Sequence, residues 1–295
     1  MNDLRQAALA IPVSAKAESG CVRVNGIDVT YYDSGEPTAD VNQRAPVVLV
    51  HGTGGTAASH YGFLFPILES GQRVVALDFA PPAEGVTLAL SDLEDQVKAV
   101  IEHVLPGRAV TLVGYSLGAV VAASIASTRP DLVSNLVLIA GWLKTDAQQL
   151  IRNKVWQELY QSGSRAIADF TVFCAFSHGF FHFLSPERLH AITEMIRPGP
   201  FDAQQMALNQ KVDLSSQVSS IRAKTLIVGC SHDQMVPIEH SKLLFGAISD
   251  ARFAEIASGH GVVFERPGQL SQVIDQFNEN PERYPAGTII PADHP

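Results

Sequence analysis

Hydrophobic positions along the chain follow two periods in turn. Residues 21–33 alternate apolar and polar positions on either side of Asn25-Gly26, a dipeptide suited to a two-residue turn, and predict an antiparallel hairpin at the start. Residues 46–50 and 73–79 are near-continuous apolar runs, the pattern of strands covered on both faces, and residues 59–70 between them predict a helix. Ser91 and Glu94 have capping-box spacing. Leu93, Val97, Val100, Ile101 and Val104 then form a helical stripe that Pro106-Gly107 ends. Strands follow at residues 109–113, 136–140, 225–230 and 252–257, and helices at 119–126, 237–245 and 269–277. This alternation predicts an α/β fold, a doubly wound and mostly parallel sheet.

One stretch breaks the rhythm. Residues 142–220, after the sixth strand, are far longer than an ordinary α/β connection. They carry helical patterns and the aromatic concentration Phe170, Phe173, Phe176, Phe180, Phe181 and Phe183. They predict a helical cap over the carboxyl edge of the sheet, with Phe173, Phe176 and Phe180 as candidates to line a substrate pocket. The core is then residues 21–141 with 221–279. Residues 1–20 form an N-terminal extension, and residues 280–295, rich in Pro and polar residues, form a tail expected to be loosely held.

Composition narrows the function classes. The chain of 295 residues is 46% hydrophobic, enough for one large filled core, and its 30 acidic against 21 basic residues give a formal net charge of −9. No cluster of Lys and Arg follows a phosphate backbone, so nucleic acid is not an expected partner. Cys21, Cys174 and Cys230 are distant and form no C-x-x-C pair, which argues for free thiols in a reducing compartment. No apolar run reaches the roughly 18 residues of a membrane span. The apolar residues 7–13 before Ser14-Ala15-Lys16-Ala17 resemble a secretory cleavage region. Asp3 and the single Arg5 make a poor positive leader, so a cytoplasmic location is expected. His178 and His182 are four apart but lack the carboxylate of an H-E-x-x-H arrangement, and no metal site or cofactor is expected.

Chemistry concentrates at Gly114-Tyr115-Ser116-Leu117-Gly118, where a strand pattern gives way to a helix pattern. A serine there sits on a sharp turn with its hydroxyl above the sheet edge, and glycines on either side let strand and helix approach. Such a serine needs a base and an orienting acid. Asp233 follows the strand at 225–230 and His260, flanked by glycines, follows the last strand; His232, beside the acid, is the chief rival imidazole.

With His51-Gly52-Thr53-Gly54-Gly55, Gly-Tyr-Ser-Leu-Gly around Ser116, His-Asp-Gln-Met-Val-Pro at 232–237 and Ser-Gly-His-Gly at 258–261, the chain resembles the α/β-hydrolase family over residues 21–277. The resemblance implies Ser116 as nucleophile, His260 as general base and then acid, and Asp233 as the carboxylate that orients it. It implies oxyanion donors at the amide of Leu117 and at that of Thr53 or Gly54, with Gly52, Gly54 and Tyr115 near the substrate. The glycine segment at 51–55 lacks the endings of nucleotide-binding loops. Residues 79–85, Phe-Ala-Pro-Pro-Ala-Glu-Gly, depart from the glycine- and serine-rich loop of many relatives.

The expected activity is metal-free hydrolysis of a carboxylic ester of a small to medium, largely apolar molecule through an acyl-enzyme. A thioesterase, lactonase or C–C bond hydrolase would use the same residues. A non-catalytic binder of small ligands on the same fold is the alternative from another class.

Overall fold

The computed structural model describes residues 13–37 and 44–291. Nine strands among them form one sheet: β1 (Glu18–Val24), β2 (Ile27–Asp33), β3 (Val47–Val50), β4 (Val74–Leu77), β5 (Val110–Tyr115), β6 (Val133–Ile139), β7 (Lys224–Cys230), β8 (Ala251–Ile256) and β9 (Ile289–Ile290). Their order is β1-β2-β4-β3-β5-β6-β7-β8-β9, antiparallel at β1–β2 and β2–β4 and parallel elsewhere. The order reverses direction at β3, so the carboxyl ends of β3 and β5 open at the switch point where such sheets form a crevice. The hairpin turns where expected, with φ of 50° at Asn25 and 83° at Gly26.

The apolar runs are strands because both faces of the sheet are covered. On one face α3 (Leu90–Val104) and α4 (Leu117–Thr128) bury Leu93, Val97, Val100 and Ile101 with Leu117, Val121 and Ile125. On the other, α1 (Ala57–Tyr61), α2 (Leu64–Leu68) and α12 (Pro267–Glu279) bury Tyr61, Leu64, Phe65, Leu270, Ile274 and Phe277. At about 25 cal/mol per Å² of apolar surface, these two layers dominate the fold's stability.

The β6–β7 connection is the helical cap, made of α5 (Ala147–Gln161), α6 (Ala166–Ala175), α7 (His178–His182), α8 (Pro186–Met195), α9 (Pro200–Asn209) and a 3₁₀ turn at Val218–Ser220. Its two ends pair at the neck, where Leu214 N–H donates to the Leu143 carbonyl at 2.8 Å and Thr145 N–H to the Val212 carbonyl at 3.0 Å. Trp156, Ile167 and Met206 form a small core of the cap's own. After β7 come α10 (Ile238–Ala247) and α11 (Val262–Glu265).

Several local expectations change. The helix predicted at 59–70 is two helices, α1 and α2, because Pro66 has no N–H to continue the ladder across Gly62. Helix α3 begins at Leu90, and Asp92 rather than Glu94 reaches back, accepting the Ala89 N–H at 2.8 Å. Glu94 instead accepts the Ser124 hydroxyl at 2.6 Å and ties α3 to α4. Strand β1 starts at Glu18, inside the predicted N-terminal extension. Residues 1–12, with most of the apolar stretch resembling a leader, lie outside the described residues. Among the described residues no helix is long and apolar enough to cross a membrane.

The tail is not loose over residues 280–291. Ile289 and Ile290 pair with Phe253 and Ala254 of β8, the Gly287 N–H donates to the Ala251 carbonyl at 2.8 Å, and the buried Arg252 donates to the Tyr284 carbonyl at 2.7 Å. A two-residue strand is too short to show a period, and its partner is the otherwise open edge of β8. Deleting residues 281–295 is expected to lower unfolding free energy by about 2–4 kcal/mol, since it removes the acceptor of the buried Arg252 Nε and uncovers β8. Urea denaturation checks this, and an unchanged midpoint would contradict it.

Candidate active site

Strand β5 is buried along its whole length and ends at Tyr115, and Ser116 then takes φ 55° and ψ −119°, a conformation costly for a residue with a side chain. The turn is fixed from both sides: the Ser116 N–H donates to the Ile139 carbonyl at 2.9 Å, and its own carbonyl accepts the Ala119 N–H at 2.9 Å. A methyl on Gly114 would lie 2.2 Å from the Gly118 carbonyl oxygen, and one on Gly118 would lie 2.0 Å from that of Val50. The two glycines therefore allow β3, β5 and α4 to touch at one point, which lifts the serine above the sheet.

Ser116, Asp233 and His260 come together from the ends of β5, β7 and β8. His260 Nε2 lies 2.9 Å from Ser116 Oγ and its Nδ1 lies 2.6 Å from Asp233 Oδ2. All three residues are less than a tenth exposed. The other Asp233 oxygen accepts the N–H groups of Met235 and Val236, each at 2.8 Å, so both carboxylate oxygens are held. Below it, burial and the Asp233 charge push the Cys230 thiol far above its usual range. His232 is exposed and stands outside this chain of bonds.

The imidazole is held by its own loop. Tyr115 O–H donates to the His260 carbonyl at 2.8 Å, and Gly261 N–H donates to the Ala175 carbonyl of the cap at 2.8 Å. Glu265 accepts the Gly259 N–H at 3.0 Å and, from the cap, the Ser177 N–H at 2.8 Å and hydroxyl at 2.6 Å. One carboxylate thus joins the imidazole loop to the α6–α7 junction.

Beside the serine, a methyl on Gly52 would sit 2.9 Å from Ser116 Cβ, which places the loop after β3 against the nucleophile. Gly54 N–H is taken by Gln205 Oε1 at 2.8 Å, whereas the amides of Thr53 and Leu117 have no partner among the described residues. Of the two expected donors on that loop, Thr53 has the free one. Its hydroxyl accepts Asn209 Nδ2 at 2.9 Å, so the buried Gln205 and Asn209 of α9 pin the loop from the cap side.

Two histidines complete the floor. His51 Nδ1 lies 2.8 Å from the Gly52 carbonyl and Nε2 accepts the Phe79 N–H at 3.0 Å, an arrangement that fits the neutral Nδ1–H tautomer. His60 Nδ1 accepts the Gly52 N–H at 3.2 Å, and its ring meets the edges of Tyr115 and Phe264. Burial, then the nearby His51 and His260, hold the His60 pKa down to about 3.

The cap aromatics divide. Phe176 is buried and presses on the imidazole loop, where a methyl on Gly261 would lie 2.8 Å from its ring. Phe180 stacks on Phe176 with centroids 4.4 Å apart but faces an outer groove with Phe183, Leu184 and Ile192. Phe173 is 61% exposed, on the side of α6 opposite the buried Ile167, Ala168 and Val172. Of the three phenylalanines expected at the pocket, Phe176 lies against the loop that carries His260. His60, Gln205, Asn209 and Glu265 have no motif around them, and the sequence gives no sign of their place.

Comparison with known proteins identifies the fold family. Residues 45–267 match the model of the alpha/beta hydrolase fold family. The chain is 30% identical over 244 residues to a pyrrolizixenacetamide deacetylase of Xenorhabdus hominickii, covering 78% of this chain and 90% of the relative. It is 25% identical over 226 residues to a putative carbamate hydrolase, RutD, of Variovorax paradoxus, covering 69% and 80% respectively. Among solved structures it is similar to an alpha/beta hydrolase enzyme from a deep-sea metagenome library, with TM-score 0.78, 18% identity and coverage of 88% and 96%. It is also similar to the enol-lactonase of Burkholderia xenovorans, with TM-score 0.74, 18% identity and coverage of 88% and 99%.

The histidine floor sets an expected pH dependence. His60 is neutral in the fold with its pKa at about 3, against about 6.5 in an open chain, so its contribution is complete above pH 6.5 and is lost as pH falls toward 3. After allowance for its partial exposure, the loss by pH 5 is about 1 kcal/mol. Urea unfolding at pH 7 and pH 5 should show a smaller acid loss in His60→Gln than in the native protein. Equal losses would contradict the buried neutral imidazole.

Proposed function

The chain belongs to the α/β-hydrolase fold family, and from that premise we propose that it is a serine hydrolase that cleaves a carboxylic ester through an acyl-enzyme. The observation that carries this reading is the single imidazole within hydrogen-bond distance of both Ser116 Oγ and the Asp233 carboxylate. In this reading Ser116 Oγ attacks the substrate carbonyl as its proton passes to His260 Nε2. Asp233 keeps the Nδ1–H tautomer in place and offsets the charge of the imidazolium. The negative oxygen of the tetrahedral intermediate points between the amides of Leu117 and Thr53, where losing one donor typically costs about 2.7–4 kcal/mol. His260 then protonates the leaving group and afterwards activates water against the acyl-enzyme. These steps call on no metal or cofactor.

Residues 142–220 act in this reading as the cap that closes the site, with residues 21–141 and 221–279 as the catalytic core. Gln205 and Asn209 couple the two by holding the oxyanion loop, and Gly52 and Tyr115 form the wall around the nucleophile. The substrate is a small molecule.

A second reading, amide hydrolysis by the same residues, is favoured by the name of the deacetylase relative. An attacked amide needs its nitrogen protonated as it leaves, which His260 Nε2 is equally placed to do. Ser116→Ala should lower kcat by at least about a thousandfold for any substrate of the protein, as triad knockouts do. Assay of native and variant protein on matched short-chain esters, thioesters, lactones and N-acetyl amides checks this, and kcat/KM ranks the classes. Near-native turnover by Ser116→Ala would refute the assignment, and a higher kcat/KM on amides than on esters would select the second reading.

A further inference from the structure

Helix α5 turns a polar face inward. Gln149 and Asn153 are buried with Trp156, one helical turn apart along that face, and Arg152 lies among them. Two of the Arg152 neighbours are therefore groups that hydrogen-bond rather than pack.

Among the described residues Arg152 is the arginine that is not fully exposed and yet has no carboxylate partner; Arg165, Arg188, Arg222, Arg266 and Arg283 also lack one but lie exposed. Arg44, Arg73, Arg129 and Arg252 each pair with a carboxylate, whereas Arg152 pairs with none among the described residues. Its hydrogen bond runs from Nη2 to Asn153 Oδ1 at 2.6 Å, and its Nε is buried without a partner. Taking such a cation out of water without an opposite charge is unfavourable. Burial lowers its pKa, with Cys174 and Asp233 opposing the shift. In the fold, α5 packs against α6, whose last residue, Ala175, accepts the Gly261 N–H beside His260.

Neither group is its counter-ion. Burial raises the Cys174 thiol, which keeps it neutral, and both Asp233 oxygens are already committed to His260, Met235 and Val236. A second buried group without a partner, the Thr171 hydroxyl, lies one turn before Cys174 on α6, the helix packed against α5. The cap thus holds a cation and a hydroxyl, each with a buried atom left without a partner, on two helices packed together, the second of which ends on the imidazole loop.

We propose that Arg152 is an anion-recognition residue of this site, and that the substrate carries a carboxylate remote from the bond that Ser116 attacks. The inference rests on the serine-hydrolase reading above and names its substrate class. A single planar fork of N–H donors matches one carboxylate. Arg152 binds and orients; it takes no part in proton transfer.

The test uses the ethyl half-esters of succinate, glutarate and adipate, each beside a neutral ethyl ester of equal length in which a methyl ketone replaces the carboxylate. The native protein should prefer at least one half-ester over its neutral partner by about tenfold or more in kcat/KM, chiefly through KM. In Arg152→Gln that ratio should fall by about 10- to 100-fold, and Arg152→Lys should restore part of it. No preference at any length in the native protein overturns the proposal without recourse to a variant, as does a ratio that Arg152→Gln leaves unchanged. Turnover of the neutral esters without preference defeats this inference alone. No turnover of any ester defeats the ester reading on which it rests.

Discussion

An imidazole that must touch two groups at once imposes most of what is seen in this chain. His260 spans from Asp233, at 2.6 Å, to Ser116, at 2.9 Å, and these three residues stand at the carboxyl ends of β8, β7 and β5. Side by side, parallel strands about 4.8 Å apart bring their ends together in one row. The loops must then bend each side chain back over that row within a few tenths of an ångström. The backbone of Tyr115–Ser116, the amides of Met235 and Val236, and the Tyr115 hydroxyl on the His260 carbonyl each restrain one of those loops.

The cost of that precision is visible as local strain offset by packing. Ser116 holds a positive φ because glycines on both sides let three backbone segments meet, and because β5 is a fully buried strand in the centre of the sheet. The cap adds restraint from above. Glu265 joins the imidazole loop to Ser177, and Gln205 with Asn209 joins the loop after β3 to α9. Movement of the cap therefore reaches His260 and the Thr53–Gly54 loop through hydrogen bonds, and that coupling makes the site a joint product of core and insertion.

What the sequence made legible follows the same physics. The doubly wound sheet, the elbow, and the order of serine, acid and histidine were readable because each is written locally, in apolar runs, flanking glycines and strand-end loops. Gln205 was not, since 151 positions separate it from Gly54 and an amide side chain in a helix carries no signature. Which cap phenylalanines would meet a substrate was not legible for a different reason: a count of aromatics shows that a helix is apolar but leaves its phase open, and in the fold Phe176 is buried, Phe180 half-buried and Phe173 exposed. The inward polar face of α5 was hidden in the same way, because the buried Gln149 and Asn153 give the cap interior a hydrogen-bonding character that its phenylalanine-rich composition did not suggest.

An activated serine is the central claim, and covalent trapping measures it directly. Folded protein treated with a fluorophosphonate, followed by intact mass and peptide mapping, should carry one adduct located on Ser116, formed far more slowly in His260→Ala. An unmodified protein, or an adduct formed at the same rate without the imidazole, would contradict the account.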